Sequence, residues 1–283
     1  MPGSSIVLPM LWQSALLPFA VALAVLFAGR ALRLQAAASV LAVAAGFLAS
    51  YFAALHAQWS PVPKVALDWL PWTVVVAAAA ALPIETRDGF ARILARGVVA
   101  LIAAALVVWP ALASFGAAKA AIAIVVTAAL VTLVWSLLAA SNRGKAVQPF
   151  LLAVVAGGAG LALMLDSSQS AGRLSGALAM TLAACLLFAW PRLRVAFAPA
   201  ATGVVVVLLG ALLANAHLYA GFPPSYLALL VGALLAQPVL DALLHRARAP
   251  VGWAWLPSAV LTVVPVLVTV ALAVKAASDS GGY

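Results

Sequence analysis

The stretch from 197 to 217 reads Phe-Ala-Pro-Ala-Ala-Thr-Gly-Val-Val-Val-Val-Leu-Leu-Gly-Ala-Leu-Leu-Ala-Asn-Ala-His and contains no Asp, Glu, Lys or Arg. At about 1.5 Å per residue such a run, if helical, is about 30 Å long, the thickness of a bilayer's hydrocarbon core. It is apolar on every side, so it has no face to offer to water. A span of a membrane, enclosed by lipid or by other helices, is the reading that fits.

Runs of the same kind recur on both sides of it. Breaking the sequence at charges and at Pro and Gly clusters gives ten candidate spans: 6–29, 34–56, 67–84, 97–115, 119–140, 147–166, 174–190, 197–217, 225–244 and 253–275. The links are short, so the whole chain, 1–283, reads as a single all-α transmembrane bundle. Composition agrees: 67% of the residues are hydrophobic and 7% charged, against roughly 25% charged in soluble domains. The first run follows Met-Pro-Gly-Ser-Ser without a basic n-region, and is expected to be a retained span.

Orientation follows from the basic residues. With the N-terminus outside, eleven fall in cytoplasmic links: Arg30, Arg33, Arg87, Arg92, Arg96, Arg143, Lys145, Arg192, Arg194, Arg246 and Arg248. Four, Lys64, Lys119, Arg173 and Lys275, fall on the other side. This bias places both termini outside and suggests a bacterial cytoplasmic (inner) membrane. The nine tryptophans are expected near span ends at headgroup level: Trp12, Trp59, Trp69, Trp72 and Trp109 outside, Trp135, Trp190, Trp253 and Trp255 inside.

The net charge of +9 is scattered between apolar runs and reads as membrane anchoring, with no nucleic-acid face. Cys185 is the one cysteine, so a disulfide within the chain and thiolate metal clusters are excluded. No cofactor motif and no metal-ligand spacing is present, and the expected partners are membrane lipids with other membrane subunits or further copies of the chain. The segment from Glu85 to Arg96, with Phe90, Ile93 and Leu94 among charges, is expected as a short amphipathic helix on the inner leaflet.

A shift of 161 residues brings His56 onto His217, Ser14 onto Ser175, Phe27 onto Phe188, Arg33 onto Arg194 and Pro63 onto Pro224. It suggests a parallel four-helix repeat, 7–115 and 168–276, joined by the spans within 119–166. The paired outer loops then make His56, Asn215, His217 and Tyr219 a candidate substrate site. A second candidate is Gln237, Asp241 and His245, spaced by four on one helix face, as a proton or ion relay at the inner mouth. For each, headgroup anchoring is the competing explanation. Gly157, Gly158 and Gly160 in the sixth span, and Gly172 and Gly176 about the start of the seventh, suit close helix packing more than a broken helix.

In size and span count the chain resembles the ten-span drug and metabolite transporters. That family is built from inverted five-helix halves with the N-terminus inside, so the resemblance covers gross architecture and implies a transport role without assigning residues. The leading expectation is a permease-like transporter of a small, weakly charged or amphipathic solute; the alternative is a non-catalytic subunit of a larger membrane complex. An intramembrane enzyme would need clustered Asp, Glu, His or Lys at a membrane face, and no catalytic motif is present. A transporter is expected to carry a continuous polar seam through the bundle centre.

Overall fold

A computed structural model of the chain describes residues 9–55, 59–112, 116–141, 146–189, 195–246 and 255–279. Ten of its helices are long and apolar enough to cross a membrane: α1 Pro9–Ala31, α2 Ala36–Leu55, α3 Ala66–Glu85, α4 Gly89–Ala111, α5 Ala117–Ser141, α6 Val147–Asp166, α7 Gln169–Ala189, α8 Pro199–Ala220, α9 Pro224–Arg246 and α10 Trp255–Asp279. No strand occurs among the described residues. In hydrocarbon every backbone N–H and C=O needs an internal partner, and the helix supplies it locally.

The prolines show how the ladder adapts. In α1 the lost N–H of Pro18 is preceded by a π-turn, Trp12–Leu16, in which the Leu17 N–H reaches back to the Trp12 carbonyl. Pro83 lies within α3, and Pro238 and Pro265 within α9 and α10, without ending them. The third span, crowded by Pro71 and Pro83, begins with a 3₁₀ turn at Ala66–Trp69 and then runs on to Glu85.

α8 stands at the centre. Almost every residue from Ala200 to Ala216 is buried, and α2 to α7 all pack on it. α1 lies against α2 and α7, while α9 and α10 pack on each other and on α5 and α6. Small residues set the closest approaches. A Cβ on Gly160 of α6 would sit 3.0 Å from both the Gly172 carbonyl and the Gly176 nitrogen of α7, and the Ser175 hydroxyl donates to the Ala156 carbonyl at 2.8 Å. A Cβ on Gly158 would strike Val266 of α10, and one on Gly203 of α8 would enter the Trp135 ring of α5. α6 is one continuous helix, Val147–Asp166, so its glycines serve packing.

A small apolar cluster stands apart from the main core. Val108 and Ala111 at the end of α4 pack with Ala120 at the start of α5, with Leu218 of α8 beside them. It joins the tips of the α4–α5 hairpin to each other.

Two expectations change. Glu85 to Arg96 is not a separate surface helix: Glu85 ends α3, and Gly89 opens a helix that continues as α4. Phe90, Ile93 and Leu94 are exposed on its first turns, whereas Arg96 is buried. Trp135, six residues from the end of α5, is fully enclosed by protein, whereas Trp12, Trp72, Trp109 and Trp255 are exposed near helix ends as expected. Trp190 and Trp253 lie outside the described residues.

Candidate functional site

No polar seam crosses the bundle centre among the described residues. The buried hydroxyls of Thr73, Thr181 and Thr269 return to carbonyls four residues back in their own helices, and Ser50 bonds the Gln13 carbonyl. Such bonds satisfy the side chain without leaving a polar path. One opening among the described residues lies off centre.

It is a groove of about 350 Å³ between α5, α8 and α9. Along α5 its lining runs from Lys119 to Val134, a depth of about 22 Å at 1.5 Å per residue. Gly210 and Ala214 of α8 form part of the floor, and Leu227 to Leu234 of α9 the far wall. Beyond the groove α5 and α9 meet, where the Gln237 amide nitrogen donates to the Ser141 carbonyl at 3.5 Å. The wall is aliphatic except for Thr127 and, at the mouth, Lys119 and His217.

Local chain geometry fixes His217. Gly221 takes a left-handed φ of +73° and ends α8; the turn brings the Phe222 carbonyl to 2.7 Å from His217 Nδ1. A carbonyl only accepts, so Nδ1 carries a proton and Nε2 is the ring atom left for a ligand. Successive α-helical residues are about 100° apart, so Asn215 and His217 point to opposite sides of α8. Asn215 is buried, and Tyr219 donates to the Val107 carbonyl of α4 at 3.0 Å. His217 alone of these three faces the groove, and His56 lies outside the described residues. The structure therefore does not assemble Asn215, His217 and Tyr219 into one site.

The second candidate lies on α9, continuous from Pro224 to Arg246, so Gln237, Asp241 and His245 do share a face. Gln237 is buried and Asp241 half-buried; the side chain of His245 is outside the described residues. A small cavity of about 10 Å³ beside Gln237 also receives Gln148 of α6 and Thr262 of α10, and Leu234 borders both it and the groove.

A third polar centre was not foreseen. Arg96, 4% exposed, holds the Glu85 carboxylate with both Nη2 contacts at 2.7 Å and a third from Nε at 3.1 Å. Its guanidinium lies 5.6 Å from the Trp135 ring centroid. α3, α4 and α5 are thus joined at one charge, and Trp135 seats on Gly203 of α8. Both charges of this pair are committed to each other, which suits structure better than chemistry. The two are eleven positions apart, across the turn after α3 and the first two turns of α4, and no local spacing marks them as a pair. Among the described residues no group of three His, Cys, Asp or Glu converges as a metal site would require.

Ten apolar helices, an apolar core and short links define a polytopic α-helical integral membrane protein. Protein-family models, curated proteins and solved structures give no match to the chain.

Proposed function

We propose that the chain is a permease-like transporter, not an enzyme, whose solute is small and amphipathic and lies in the groove between α5, α8 and α9. The observation that carries this reading is the groove itself. Its volume falls in the range of about 300–1,000 Å³ used for small ligands, and its polarity is one-ended. A sugar or amino acid would lose its water against aliphatic walls at a cost of several kcal/mol per unpaired group. A molecule with an apolar tail and one polar head meets Val131, Leu213 and Leu234 with the tail and Lys119 with the head.

The Lys and Arg bias supports an arrangement with both termini and the groove mouth outside and the Glu85–Arg96 end in the cytoplasm of a bacterial cell. The parallel repeat has one contact in its favour: Phe27 and Phe188, matched by the shift of 161, meet edge to face at 4.7 Å, as equivalent residues do beside a twofold axis. Against it, α1 and α2 pack more closely than α7 and α8.

Purified protein in liposomes tests the transport reading, with a medium-chain alkyl sulfonate as probe because its fixed charge slows passive crossing. Flux is expected above that of protein-free liposomes, to be lost in Ala214→Phe, which fills the groove floor, and to weaken in Lys119→Ala and His217→Ala. Flux no higher than in protein-free liposomes overturns it.

The subunit reading has its own observation. α10 presents an outward aliphatic face that includes Val260, Val264, Leu267 and Val274, long enough for a partner helix. Stoichiometric membrane proteins retained on α10 through purification, together with absent flux, make that reading the better one.

A further inference from the structure

The cavity shared by Gln148, Gln237 and Thr262 contains an imbalance of hydrogen bonds. Gln148 is 2% exposed and Gln237 8%. Three of their amide atoms, Gln148 Oε1, Gln148 Nε2 and Gln237 Oε1, have no partner among the described residues. Gln237 Nε2 already donates to Ser141, and the Thr262 hydroxyl already donates to the Ala233 carbonyl at 3.3 Å. Two acceptors and one amide donor are therefore left against one small space, lined otherwise by aliphatic residues, Leu151 and Leu152 among them. Buried amides in hydrocarbon are costly unless each finds a partner.

We infer that this cavity is a binding site for a single water molecule. The water donates one hydrogen to Gln148 Oε1 and the other to Gln237 Oε1, and accepts from Gln148 Nε2. The cavity's 10 Å³ is about the room one water centre needs. The count does not depend on which way the Gln148 amide is turned, since one oxygen and one NH₂ face the same space either way. A metal cation fits worse: it would satisfy the two oxygens while the NH₂ of the same amide points a positive dipole at it. The water ties α6 to α9 and extends the polar stripe of α9, in which Asp241 follows Gln237 by one turn, up to the end of the groove at Leu234. The site stands on its own amides whether or not the groove carries a solute.

Hydroxyl-radical labelling by synchrotron X-rays in ¹⁸O water, on the whole chain in mild detergent, reads the site directly. Leu152, 1% exposed, is expected to take up ¹⁸O several-fold faster than Leu163 and Leu178, which are 0% exposed and away from the cavity, and Leu151 to follow it. Labelling of Leu152 no faster than of Leu163 overturns the proposal, and wild-type protein suffices for this measurement. Thermal unfolding gives an independent reading. Gln148→Met is expected to lower Tm because it leaves Gln237 Oε1 alone, and Gln148→Met/Gln237→Met to regain most of the loss. A rise in Tm with Gln148→Met alone would mean a dry cavity and overturn the proposal.

Discussion

At Arg96 a single side chain decides how three helices meet. Its charge is out of water, so the Glu85 carboxylate is what makes the position tolerable. Breaking a buried pair from one side leaves the other charge stranded, at a cost of about 3 kcal/mol or more. Glu85→Gln is accordingly expected to lower stability by about that amount, and Glu85→Gln/Arg96→Met to recover much of it, both read from thermal unfolding in mild detergent. Residues of this kind were the least legible in the sequence. Arg96 reads there as one more loop charge, because hydropathy marks where a span runs but not which of its residues a neighbouring helix encloses. The opposite case is His217. Its separation from Asn215 by two positions already placed the two on opposite sides of α8, and grouping them by nearness in the chain concealed it. Lys119, which shares the groove mouth with His217, gave no local signal at all.

Helix boundaries were far more legible. The expected 147–166 and the observed Val147–Asp166 coincide, and 34–56 differs from Ala36–Leu55 by a few residues, because hydrocarbon thickness imposes one length on every element. α4 is the exception: it starts at Gly89 and not at 97, since hydropathy treats Arg92 and Arg96, which sit in its first two turns, as link charges. What the sequence could not supply is which small residues touch. A Cβ on Gly176 would meet nothing within 4 Å, whereas one on Gly160 presses on α7 backbone, which cannot rotate away. Gly160→Ala should therefore destabilise by about 1–3 kcal/mol, and Gly176→Ala should be neutral or stabilising by up to about 1 kcal/mol, measured side by side. Gly203→Ala, driven into a Trp135 ring already enclosed by Arg96, should cost about 3 kcal/mol.

For the whole molecule, the two ends of the bundle differ in kind. One carries the Glu85–Arg96 pair with Arg30, Arg33, Arg87 and Arg92, the other Lys119, His217 and the groove mouth. In a Cys185→Ala background, Val62→Cys is expected to react with a membrane-impermeant maleimide applied to intact cells, and Thr86→Cys only after the cells are opened. The reverse pattern would turn the molecule over. That the centre is filled by α8 and not by a polar seam could not be read from hydropathy, since Val204 to Leu209 would look the same facing lipid or facing other helices.

The α4–α5 hairpin has a mechanical consequence. Near one end it is fixed to α3 and α8 through Arg96, Trp135 and Gly203. At the far end its two tips are held to each other by Val108, Ala111 and Ala120, and to α8 by Leu218 and the Tyr219 hydroxyl. That is a lever: a stiff arm on a firm fulcrum with a light latch. From Trp135 to Lys119 the arm is about 24 Å, so a tilt of about 5° swings Lys119 by about 2 Å. Lys119 lines the groove, so a tilt of that size about Trp135 would change the width of its mouth by about 2 Å.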